Sequence, residues 1–93
     1  MTLDEIAALV QKGVSHAGFS DSLQFDCGDA GVVRIVDGAV SLEAGDAECT
    51  LKMSLDNLAK LITGKLNPMT AVMMGKIKVS GNPAVAMKLK DLL

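Results

Sequence analysis

Asp37-Gly38 stands directly between two runs of strand-forming residues, VVRIV at 32–36 and AVSLE at 39–43. A two-residue link whose members tolerate positive φ favours a tight turn that matches strand twist, so the flanking runs are expected to pair antiparallel. Similar patterns lie on either side. Leu23, Phe25 and Cys27 alternate with Ser22, Gln24 and Asp26, and Gly28-Asp29 ends that run. In AVSLE, Val40 and Leu42 are expected inward. The turn AGD at 44–46 then leads to ECTLKM at 48–53, whose alternation sets Cys49, Leu51 and Met53 inward. VVRIV is apolar on both faces apart from Arg34, the pattern of a strand covered on both sides.

Helical patterns surround this β region. Thr2 is a fair N-cap, with Asp4 and Glu5 in the first turn, where the helix dipole favours acids. Leu3, Ile6, Leu9, Val10 and Val14 recur at helical spacing over 3–16, and Gly18 ends the run. Ser54 caps a second helix with Leu55, Leu58, Leu61 and Ile62 on one face, closed by Gly64. Asn67-Pro68 opens a short third helix, and Gly75 closes it. KIKVS at 76–80 is a strand with Ile77 and Val79 on one side. Gly81-Asn82-Pro83 starts a last helix striped by Val85, Leu89 and Leu92 beside Met87. The expected fold class is α+β, in the order α-β-β-β-β-α-α-β-α, with residues 1–93 forming a single domain.

Composition narrows the function classes. Hydrophobic residues make up 49% of the chain and aromatic residues 2%, so Leu, Val, Ile, Ala and Met must build the core. A chain of 93 residues hides only roughly two-thirds of its unfolded surface, which leaves some of this apolar supply for another use. The net charge of −2 argues against nucleic acid as a partner. Lys76, Lys78, Lys88 and Lys90 read as a solvated face, with a weak site for anionic head groups as the alternative. No apolar run approaches the ~18 residues of a membrane span. The opening MTLDEIAALV carries acids where a secretory leader needs bases, so the expected location is cytoplasmic. Cys27 and Cys49 lack metal-ligand spacing and are expected to be buried, reduced thiols.

No catalytic set emerges. TGKL at 63–66 lacks the spaced glycine and the Ser/Thr of a phosphate loop, and His16 has no motif partner. No reaction, cofactor or metal is therefore expected. What stands out is PMTAVMM at 68–74, in which only Thr70 is polar. Met69, Val72 and Met73 share one face, while Ala71 and Met74 widen it. A helix apolar nearly all round should be buried all round. Methionine fills ordinary cores, but its flexible thioether also suits a wall that must accept varied guests.

The stretch AECTLKMSLDNLAKLITGKLNPMTAVMMGKIKVSGNPAVAMKL resembles the second half of the sterol carrier protein 2 (SCP-2) domain family. The resemblance rests on C-T-L-x-M-S, T-G-K-L-N-P, a short apolar helix, G-K-I-K-V-S-G-N and A-M-K-L. It implies a sheet of about five strands, covered by helices and enclosing an apolar tunnel. It also implies non-catalytic binding or transfer of a lipid: fatty acid, fatty acyl-CoA, sterol or phospholipid. Leu58, Leu61, Ile62, Leu66, Met69, Val72, Met73, Ile77, Val79 and Met87 are the candidate tunnel wall. Val72, Met73 and Met74 stand where family members often carry aromatic residues and a glutamine, which favours an apolar chain over a sterol. Implied partners are a lipid or acyl-chain ligand and a transient membrane surface, with a monomer or homodimer as the state. Two other readings stay open: an interaction or dimerisation module, and an accessory domain presenting acyl substrates to an enzyme.

Overall fold

Thr2 and Glu5 form a reciprocal cap at the start of the first helix. The Glu5 backbone N–H donates to the Thr2 hydroxyl at 3.2 Å, and the Thr2 N–H donates to the Glu5 carboxylate at 2.9 Å. In the computed structural model, which describes residues 1–89, this cap opens α1 (Leu3–Ala17). Gly18, at φ 66°, ends it in the left-handed conformation. Ile6, Val10 and Val14 are buried, whereas Leu9 lies at the margin of the stripe and is exposed.

The strands are β1 (Leu23–Asp26), β2 (Val32–Val36), β3 (Ala39–Ser41), β4 (Cys49–Lys52) and β5 (Lys78–Gly81). They form one sheet in the order β3-β2-β1-β4-β5. All neighbours are antiparallel except β1 and β4, which run parallel. Asp37 and Gly38 both take positive φ in the β2–β3 turn. A short 3-10 turn (Gly28–Ala30) joins β1 to β2. α2 (Leu55–Ile62) and α3 (Pro68–Met73) connect β4 to β5, and α4 (Pro83–Met87) follows. The α+β class and the element order match the expectation; Leu92 and Lys90 lie outside the described residues.

Register explains why the sheet has one apolar face. Leu23 lies opposite both Ile35 and Cys49, and Phe25 opposite both Val33 and Leu51. Side chains directly opposite share a face, so these six meet on one side, where all are buried. α1 packs there against β2, β3 and α2, and α4 packs against β4 and β5.

The other face carries Gln24, Arg34 and Thr50, and the loop after β3 folds back over part of it. The Gly45 N–H donates to the Gln24 side-chain oxygen at 3.0 Å, and Arg34 Nε donates to the Asp46 carbonyl at 2.9 Å. A Cβ on Gly45 would sit 2.6 Å from the Arg34 guanidinium, so the loop approaches this closely because residue 45 has no side chain. Two expectations change here. β2 is not covered on both faces: Val33 and Ile35 are buried, but Val32 and Val36 are only half-buried. Leu42 is exposed rather than inward, because β3 ends at Ser41.

Candidate functional site: an apolar trough between α3, β5 and α4

Asn67 starts α3 by accepting the Met69 and Thr70 N–H groups on its side-chain oxygen, at 2.9 and 3.2 Å. Pro68 fits the first helical turn, where no partner for its missing N–H is needed. At the other end the chain folds back sharply. The Lys76 and Ile77 N–H groups both donate to the Ala71 carbonyl, at 2.8 and 3.3 Å. That return drives Ile77 into the interior, while Ala71 is the buried residue of α3.

The all-round burial expected for α3 does not occur. Met69 is 61% exposed, Met73 84% and Met74 63%, and Val72 is also exposed. Among the described residues, a six-residue helix held to the core through Ala71 leaves most of its other side chains exposed.

Asn82 caps α4 by accepting the Ala84 N–H at 3.0 Å, and its own N–H donates to the Glu48 carbonyl at 2.7 Å. The second bond ties the start of α4 to the start of β4. Val85 and Leu89 then point into the core, and Met87, 64% exposed, points out.

Between α3 and α4 lies a trough of ≈ 280 Å³, open to solvent on one side. Leu51, Ile77, Val79 and Leu89 form its floor. Pro68, Met69, Val72 and Met73 line it from α3, and Pro83, Ala86 and Met87 from α4. Among the described residues, no ionisable side chain lines it. Among the described residues it is an open groove rather than the enclosed tunnel expected. Such a site can hold an apolar guest by exclusion of water, and its described lining carries no acid, base or nucleophile.

Six of the candidate wall residues meet at this trough: Met69, Val72, Met73, Ile77, Val79 and Met87. The other four lie apart from it. Leu58 and Leu61 are fully buried in the core, where α2 packs against α1, and Ile62 and Leu66 are half-buried against that core. Sequence reasoning did not include Leu51, Pro68, Pro83, Ala86 and Leu89 among the wall residues. Leu51 reaches the floor because it pairs directly with Val79, a register that alternation within one strand does not reveal. Pro68 and Pro83 were legible as helix starts, and the same positions put their rings at the mouth.

Both cysteines are buried and unpaired. Burial pushes the Cys27 thiol up, with Asp26 adding to the effect. It also pushes the Cys49 thiol up, although a backbone hydrogen bond from Ala86 partly opposes this. Among the described residues no group of three or more His, Cys, Asp or Glu is placed to hold a metal.

A family model described as the SCP-2 sterol transfer family matches residues 3–93. The chain belongs to this family. Sterol carrier protein 2 of Gallus gallus is 52% identical over 46 residues, which make up 50% of this chain and 8% of that protein. The chain thus spans a small part of the curated relatives it matches. The SCP-2 fold is shared with the apo form of sterol carrier protein 2 from Yarrowia lipolytica at a TM-score of 0.69 and 26% identity. That match covers 92% of this chain and 74% of the other. Palmitated SCP2L2 from Aedes aegypti matches at a TM-score of 0.75 and 19% identity, over 96% and 91% of the two chains, and carries the fold alone. No described helix of this SCP-2 member is long and apolar enough to cross a membrane.

Proposed function

We propose that this chain is a single lipid-binding domain that holds an acyl chain in the trough and carries it without chemical change. The observation that carries the reading is the trough itself, apolar throughout and walled by exposed methionines, in a member of a sterol transfer family. Its volume lies just below the ~300 Å³ at which small-molecule sites usually begin. Its open side lets a longer chain extend along α3.

The energetics are sufficient. Burying about ten methylenes at ~0.8 kcal/mol each gives about 8 kcal/mol gross. Ordering the guest takes back part of that, which leaves affinity in the range of roughly micromolar or weaker without any ionic contact. A fatty acid or the acyl part of a larger lipid fits better than a sterol, because the described side chains lining the trough offer no amide or charged group to a sterol hydroxyl. The two unpaired thiols fit a reducing compartment such as the cytoplasm.

An environment-sensitive fatty-acid probe should brighten and saturate on addition of the protein, and unlabelled acyl chains should displace it. No change at saturating probe, with the protein folded and monomeric, overturns the carrier reading. The exposed methionine rim favours one other reading, a dimerisation module. Native mass spectrometry separates the two, since a carrier retains lipid mass on a single chain and a dimer doubles the chain mass.

A further inference from the structure

The chain has six methionines, and they are unevenly placed. Met53 is buried in the core, and Met1 is exposed at the start of the chain. Met69, Met73, Met74 and Met87 are all exposed on or beside α3 and α4. Met69, Met73 and Met87 also line the trough, so thioether sulfur stands on both of its banks. Met69 and Met73 lie four residues apart, on one face of α3.

A thioether needs no ionisation to react with a peroxide. The sulfur lone pair attacks one peroxide oxygen, an S–O bond forms and the O–O bond breaks. The hydroxide that leaves takes up the proton, so each methionine sulfoxide formed reduces one peroxide to water. Competing side chains are withheld. Cys27 and Cys49 are buried, and burial pushes both thiols up, away from the reactive thiolate. The chain has no Trp or Tyr.

Oxidation changes what the trough can hold. A sulfoxide is a polar acceptor, and none of the described side chains lining the trough carries a hydrogen-bond donor. Turned inward, its oxygen keeps water where the guest would lie, or stands unpaired against the acyl chain. Turned outward, it takes a wall side chain away from the guest. Either outcome weakens binding.

We propose that Met69, Met73 and Met87 form a peroxide-oxidation site that switches the trough from holding an acyl chain to releasing it. The proposal rests on the trough being the lipid site, so binding of the fatty-acid probe is measured first on untreated protein. The full chain is then treated with dilute hydrogen peroxide, the oxidant is removed, and binding is measured again. Peptide mass spectrometry and circular dichroism accompany both measurements. The trough methionines should each gain an oxygen before Met53 does. The oxidised protein should bind the probe roughly tenfold more weakly, with its circular dichroism unchanged. A pair of methionine sulfoxide reductases, one for each epimer, should restore binding. Saturating fatty acid during treatment should slow oxidation of Met69, Met73 and Met87 relative to Met1. The Met69→Leu/Met73→Leu/Met87→Leu variant, whatever its own affinity, should keep that affinity through treatment. Met74→Leu, altered outside the trough lining, should leave the switch in place.

Undiminished binding by protein that carries the trough sulfoxides overturns the proposal and leaves the carrier reading standing. So does oxidation of Met53 ahead of the trough methionines, a loss of binding accompanied by loss of helical signal, or an equal loss in the leucine variant. Absence of probe binding before treatment removes the trough as the lipid site, and the switch with it. Comparison before and after treatment needs no variant, so a misfolded mutant does not block the test.

Discussion

Met73 and Leu58 are both long apolar side chains on helices, but their surroundings set opposite costs for shortening them. Met73 is 84% exposed and touches the trough, whereas Leu58 is fully buried beside α1. Met73→Ala is expected to cost under about 0.5 kcal/mol of stability in urea unfolding, as for an ordinary surface change. It should also weaken the fatty-acid probe or shift its chain-length preference. Leu58→Ala should cost about 2–5 kcal/mol, from lost transfer energy plus the cavity left behind. The reverse order of the two stability losses would mean that the outward placement of Met73 is wrong. The thiols give an independent check. Cys27 and Cys49 should react slowly with a thiol reagent in the native state and quickly after unfolding. Since folding raises both thiol pKa values, their contribution to stability is full below the ordinary value of 9.0 and is lost as pH rises through the folded values. Stability measured by urea unfolding should therefore decline in the alkaline range. Which residues of β1, β2 and β4 point inward was legible at this scale, because a period of two is a local property, whereas Leu42 was misplaced because β3 ends before it. Met73's exposure was not legible, because burial depends on what else is available to cover a side chain.

At the scale of elements, caps and glycines fixed the boundaries. Thr2, Ser54, Asn67 and Asn82 each accept a backbone N–H at the start of a helix, and all four helix starts were visible in the sequence. Asn67→Ala should cost about 1 kcal/mol, measured by thermal unfolding, because it leaves the Met69 and Thr70 N–H groups without their acceptor. Gly81 is a stricter case. It pairs with Cys49, takes φ 96°, and a Cβ there would collide with the Glu48 carbonyl. Gly81→Ala should destabilise by roughly 1–3 kcal/mol and disturb the Asn82–Glu48 bond that holds α4 over the trough. Gly18→Ala, at φ 66° but with open space around the new Cβ, should cost less. In the sequence Gly81 reads only as a turn before Pro83. Its close approach to β4 depends on the pairing of strands nearly thirty residues apart, which no local pattern records.

For the molecule as a whole, the hairpin of β2 and β3 was readable from Asp37-Gly38, but the strand order was not. Alternation says which side a strand buries and is silent about its neighbours. The resemblance of the second half to the SCP-2 family implied the sheet, and the register then brought Leu51 to Val79 at the trough floor. The same topology has a consequence for how the chain acquires its structure. β1, β2 and β3 pair with near neighbours in sequence, but β4 finds its parallel partner in β1 across the whole hairpin. Non-local pairing of this kind forms late, after the cost of closing the intervening loop. Neither half then owns a finished sheet. Severed within the loop after β3, peptides 1–44 and 45–93 should each show little ordered structure by circular dichroism. Mixed, they should recover it together, because the seam between β1 and β4 is the one each half lacks.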